Sequence, residues 1–234
     1  MQPLAPRELK ARRAIMVHKI LIGFLAEGTT DHRFLGSVIR RTFENIALEF
    51  IDPIEILDVA PIHSFVKGFS EQVADVAQKA LNVYGVSVLC VHTDADHHSE
   101  EVARENKFKP ALKKLESCLD VCKIIVPVIP VHMMEAWVLA DSELFKTQIG
   151  SDKSDLELGL HRNPESVSDP KMLIDEAIRI AREGLPKRRR AELKRNDLYQ
   201  PIGSAISLVK LEALSSYRAF CYEVRIAYKS LDVY

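Results

Sequence analysis

From Ile20 to Ile129 the chain alternates two rhythms of apolar and polar positions. Short apolar runs give way to segments whose apolar residues recur every three or four positions, which predicts a parallel sheet covered by helices. Ile20 to Leu25 is a nearly unbroken apolar run that ends at Glu27-Gly28-Thr29-Thr30 and predicts the first strand. The next segment places Phe34, Leu35, Val38, Ile39 and Phe43 on one helical face. Thr29 or Thr30 suits the N-cap of that helix, and Asp31 suits the positive end of its dipole. Ile54 to Ala60 predicts a second strand with polar breaks at Glu55 and Asp58. Val73, Val76, Ala77, Ala80 and Leu81 mark a second helix. Val86 to Val91 predicts a third strand, leading into His92-Thr93-Asp94-Ala95-Asp96-His97-His98. A helical segment at Ala111 to Leu119 precedes a fourth strand, Ile124 to Ile129, where Pro127 points to an edge position or a bulge.

The first and third runs are the most uniformly apolar, so they are expected at the centre of the sheet, buried on both faces. As neighbours, their carboxyl ends would meet at the crevice where open α/β sheets bind ligands. Glu27, Asp94 and Asp96 stand just beyond those ends. After Met133 the pattern turns mostly helical. Met133 to Phe145 predicts one helix, 150–168 a polar loop, and Asp169-Pro170 the start of a helix that Gly184 can end. Ile206 to Leu214 and Tyr217 to Tyr228 predict two more. The expected organisation is an N-terminal arm (1–17), an α/β domain (18–148), a loop (149–168) and a helical extension packed on the same core (169–234).

Composition narrows the class. The 234 residues are 47% apolar and 28% charged, which is ordinary for a globular protein and argues against extensive disorder. The net charge of -1 is too low for a protein that wraps nucleic acid by charge alone. Cys90, Cys118, Cys122 and Cys221 form no C-x-x-C pair, so a reducing, cytoplasmic setting is expected. No run of about 18 apolar residues exists to span a membrane. Arg7, Lys10, Arg12 and Arg13 precede an apolar stretch, yet His18 and Lys19 interrupt it, which argues against a signal peptide. Met16 offers an alternative start.

Two aspartates at i and i+2 on an extended segment point the same way. Three carboxylates meeting in one crevice repel unless a cation neutralises them, and oxygen donors of this kind suit Mg²⁺ or Mn²⁺. A solvated turn is the competing explanation for Asp94 and Asp96 taken alone. Glu135, after the fourth strand, can reach the same crevice, cap its helix or pair with a basic side chain. Trp137 reads as core, among Met133, Met134, Ala136, Val138 and Leu139. His92, His97, His98 and His132 lack helical H-x-x-x-H geometry and a matching cysteine, so zinc is not expected. The most basic stretch holds Lys187, Arg188, Arg189, Arg190, Lys194 and Arg195. It reads as a solvated helix face or a phosphate contact. Lys171 would bring positive charge to the site if the Asp169-Pro170 turn folds back toward it.

Glu27-Gly28-Thr29-Thr30-Asp31 after one strand and Asp94-Ala95-Asp96 after a later one resemble the Toprim domain. Topoisomerases, DnaG-type primases, recombination-mediator proteins, ribosomal RNA maturases and the OLD (overcoming lysogenisation defect) nucleases share that domain. The resemblance covers roughly residues 18–130. His132-Met133-Met134-Glu135-Ala136-Trp137-Val138-Leu139-Ala140-Asp141 and Asp169-Pro170-Lys171 look like a bacterial group of small stand-alone Toprim-like proteins of unassigned function. The resemblance implies Glu27 as general acid/base or metal ligand, Asp94 and Asp96 as Mg²⁺ ligands, and Asp31 as a supplement to the metal site. No topoisomerase tyrosine context or primase zinc module is evident. The implied activity is metal-dependent hydrolysis of DNA or RNA, in nucleic-acid processing or, by analogy, in phage defence beside an ATPase. Two other readings stay open: a non-catalytic regulatory subunit of an ATPase-containing complex, and another Mg²⁺-dependent phosphoryl-transfer enzyme. The lack of G-x-x-x-x-G-K-[ST] speaks against a P-loop ATPase.

Overall fold

The computed structural model describes residues 17–28, 30–97, 99–190 and 192–231, apart from the side chains of Lys187 and Arg190. Thr29, His98, Met16 and nearly all of the expected N-terminal arm lie outside the described residues. Four strands, β1 (His18–Leu25), β2 (Ile54–Pro61), β3 (Val88–His92) and β4 (Ile125–Val128), form a sheet in the order β2-β1-β3-β4. Every pairing is parallel. The two most apolar strands are central and adjacent, as their composition requires. Pro127 sits in the edge strand β4, opposite Val91, where its missing N–H costs no pairing on the open side. β2 forms the other edge and leaves Glu55, Leu57 and Asp58 exposed. The β1–β2 register shifts between Ile20 and Leu21, which absorbs Leu57 as an extra residue.

The pleat divides the central strands between two cores. Ile20, Ile22 and Phe24 of β1, with Val88 and Cys90 of β3, face one cluster; Leu25, Leu89 and Val91 face the other. The second cluster is closed by α2 (Phe69–Asn82) and by a helical stretch running from α3 (Glu101–Ala103) through a π turn (Arg104–Phe108) to α4 (Lys109–Glu116). The larger cluster takes α1 (Asp31–Ala47) and reaches into the C-terminal helices: α5 (Glu135–Val138), α6 (Ser142–Ile149), α7 (Pro170–Ala181), α9 (Arg195–Ala205), α10 (Leu208–Leu211) and α11 (Ser215–Ser230). Between α7 and α9 lies α8 (Lys187–Arg190).

Several helix boundaries differ from the sequence expectation. The helix expected over Met133 to Phe145 is two, because Asp141 turns to accept the Leu144 N–H at 3.3 Å and caps α6. Gly150, with φ of 67°, closes α6 in the left-handed conformation. α7 starts at Pro170, with the Asp169 carboxylate accepting the Met172 N–H at 2.8 Å, but ends at Ala181, before Gly184. The segment 150–168 is tied down: Glu165 accepts bonds from the N–H and hydroxyl of both Ser215 and Ser216, and so caps α11. Helix α9 went unpredicted because Pro201 and Gly203 interrupt its pattern. Thr30 occupies the N-cap position of α1 without a side-chain cap bond.

Candidate metal centre

The adjacency of β1 and β3 brings the segments after them together at the carboxyl edge of the sheet. After β1, the chain turns tightly into α1, and Asp31 Oδ2 accepts the Gly28 N–H at 2.7 Å. After β3, the Asp94 N–H and the Thr93 hydroxyl both donate to Glu27 Oε2, each at 3.1 Å. Glu27 thereby ties the two loops together. Its other oxygen, Oε1, meets no donor among the described residues, and the residue is exposed. Asp94 is largely covered, and its Oδ1 accepts the Met134 N–H at 2.9 Å.

Burial pushes the Asp94 carboxyl up to about 6, with Glu27 and Glu135 adding to the rise while His92 and the Met134 N–H oppose it. Such a carboxylate is short of positive charge. Glu135, at the start of α5, is 2% exposed. Its Oε1 accepts the Tyr199 hydroxyl of α9, and its Oε2 is buried with no hydrogen bond, 3.9 Å from Lys171 Nζ. The Asp169-Pro170 turn therefore brings Lys171 beside Glu135. Burial and the bond to Glu135 raise the Tyr199 hydroxyl far above its usual range, so Tyr199 stays a donor.

Asp96 departs from the sequence expectation. The i, i+2 rule holds only while the chain stays extended, and at Asp96 φ is +53°. Its side chain is 72% exposed and lies 3.6 Å from Lys107 Nζ. Lys107 also donates to the Thr93 hydroxyl at 2.6 Å, carried there by the π turn Arg104–Phe108. Such wide turns often mark functional sites. Sequence reasoning missed Lys107, Thr93 and Tyr199, and it set aside His92, whose Nε2 lies 3.6 Å from both Asp31 Oδ2 and Asp94 Oδ1. For Lys107 and Tyr199 the sequence carried no signal, because both arrive from remote helices.

A cleft of about 390 Å³ opens beside Glu27, lined also by Gly28, His32, His63, Ser64 and Phe65. Phe65 is 95% exposed there. Burial, with His63 close by, keeps the His32 imidazole below its usual value. Arg188 and Arg189 lie exposed on α8 and form no ion pair among the described residues, while the Arg190 side chain lies outside them. Among the described residues, no three His, Cys, Asp or Glu side chains form a ready-made metal-holding group. The oxygen donors nevertheless fit a hard cation: Glu135 Oε2 is an orphaned buried atom, and Asp94 is a carboxylate in want of a positive neighbour.

Fold and site together define an open, parallel-sheet α/β protein with an acidic crevice at the carboxyl ends of its central strands. The chain belongs to the family described as Domain of unknown function (DUF4276), whose profile matches residues 26–226. No curated protein and no solved structure matches it. Among the described residues no helix is long and apolar enough to cross a membrane.

Proposed function

We propose that the chain is a metal-dependent phosphodiesterase acting on DNA or RNA. One observation carries this reading: Asp94, a largely buried carboxyl pushed up to about 6, stands among Glu27, Asp31 and Glu135 at adjacent strand ends. The resemblance of these segments to the Toprim motifs supports the same conclusion. Asp31, Asp94 and Glu135 would hold Mg²⁺ or Mn²⁺, and Asp96 would join them only by leaving Lys107. When bound, the ion supplies polarisation of a phosphoryl oxygen and activation of water. Glu27 is fixed through Oε2 and keeps Oε1 turned to solvent, where it can take the proton of the attacking water. Lys107 and Lys171 place positive charge where a phosphodiester gathers negative charge. Arg188 and Arg189, with Arg190, offer contacts to the phosphate backbone farther along the substrate.

A second reading has its own observation. Glu27, Asp94 and Asp96 are all engaged in contacts within the protein, as in a binding or regulatory subunit that works beside an ATPase. Labelled single- and double-stranded DNA and RNA, incubated with Mg²⁺, Mn²⁺ or EDTA, separate the two. Cleavage is expected with metal, is abolished by EDTA, and falls about a hundredfold or more in Asp94→Ala and Glu27→Gln. Full activity in both folded variants would remove the site assignment. No cleavage of any substrate would favour the subunit.

A further inference from the structure

His92 closes β3, and its side chain is 1% exposed. Its Nδ1 lies 3.0 Å from the carbonyl oxygen of Val128. A carbonyl can only accept, so Nδ1 carries a hydrogen, and in the neutral tautomer the lone pair stands on Nε2. Nε2 is buried and has no hydrogen-bond partner among the described residues. It faces Asp31 Oδ2 and Asp94 Oδ1, each at 3.6 Å. In that tautomer three electron-rich atoms converge in a covered space, an arrangement that repels until a proton on Nε2 or a metal ion sits between them.

The spacing fits an ion. Nitrogen and oxygen donors about 2.0–2.2 Å from one metal stand roughly 3.0 Å apart at right angles and about 3.4 Å apart at a tetrahedral angle. The observed 3.6 Å lies just outside that range, so a small inward movement would complete the contact. Each donor is also held from behind. Val128 O orients the His92 ring, the Gly28 N–H orients Asp31 Oδ2, and the Met134 N–H orients Asp94 Oδ1. Metal ligands are characteristically fixed in this manner, with a histidine giving its other N–H to a carbonyl.

We propose that His92 is a nitrogen ligand of the cation held by Asp31 and Asp94. The inference rests on the reading of these carboxylates as a cation site and sharpens it. An imidazole nitrogen favours a divalent transition-metal ion, whereas Mg²⁺ gains little from it. The site therefore takes Mn²⁺ in preference to Mg²⁺.

Mn²⁺ titrated into the metal-stripped full chain, followed by pulsed electron paramagnetic resonance, tests this directly. Nitrogen modulation from a bound imidazole is expected, changing to the ¹⁵N pattern when the protein carries ¹⁵N-histidine. In His92→Gln the modulation disappears and Mn²⁺ affinity falls about tenfold or more. Should that variant fail to fold, the isotope label and glutamine variants of the other seven histidines, each retaining the modulation, assign the nitrogen by exclusion. Mn²⁺ bound without nitrogen modulation would overturn the inference and leave the carboxylate site standing, with His92 as a buried counter-ion. No Mn²⁺ binding at all would overturn both.

Discussion

Asp94 bears its electrostatic cost at the level of a single residue. Its carboxyl titrates near 6 in the fold, against 3.8 when unperturbed, so the folded state holds the proton more tightly than the unfolded chain. The stabilisation from that proton is complete below about pH 4 and is lost as pH rises through about 6. A shift of about two units amounts to about 3 kcal/mol between the two protonation states. In EDTA, Asp94→Asn is therefore expected to stabilise the protein by about 1–3 kcal/mol at pH 7.5 and by under about 0.5 kcal/mol at pH 4. Urea unfolding at the two pH values measures this. A gain of equal size at both would mean that the charge is not its cause.

Helix α9 acts at the next scale up, because it delivers Tyr199 to Glu135 while lying against α1. The approach is close at Gly203, where an added Cβ would lie 2.7 Å from Phe34 O and 2.9 Å from Phe34 Cα. Both are backbone atoms of α1 and have little room to yield. Gly203→Ala gains about 1 kcal/mol in helix propensity but incurs an overpacking cost of about 1–3 kcal/mol or more. Because the clash is with backbone, the cost falls at the upper end and net destabilisation of about 2 kcal/mol or more is expected from chemical denaturation, while the same substitution at Gly36 of α1, where a Cβ meets nothing within 4 Å, is neutral or stabilising.

For the whole molecule, the C-terminal helices complete the core. Phe34, Phe43 and Ile39 of α1 and Phe220, Val224 and Tyr228 of α11 belong to one buried cluster with strands β1 and β3. Trp137 is fully buried in it and donates to Ser216 Oγ at 2.8 Å, and Ser216 in turn donates to Glu165. A chain ending at residue 168 would expose this entire face, so it is expected to lose cooperative unfolding and well-dispersed amide resonances. In the full chain, the fluorescence of Trp137 and far-ultraviolet circular dichroism are expected to report one shared transition. Two separated transitions would show that the helices form an independent unit.

The alternation of apolar runs and helical periodicities, read without the fold, determined the class of architecture and the central place of β1 and β3, and narrowed Pro127 to an edge position or a bulge. Burial on both faces leaves a direct compositional mark on a strand, which is why these features were legible. The same logic placed Glu27, Asp94 and Asp96 just beyond neighbouring parallel strands, where such residues must meet, while Asp31 came only with the family resemblance. Other features depended on contacts between remote segments. The outward turn of Asp96 follows from one positive φ, and the approach of Lys107 from a π turn. The burial of Glu135 follows from the packing of α5, α7 and α9. The aim of His92 Nε2 at two carboxylates arises because β3 pairs with β4, whose Val128 carbonyl fixes the ring. Local sequence sets the rhythm of elements; only the tertiary structure decides which lone pairs face one another, because those distances depend on every element between them.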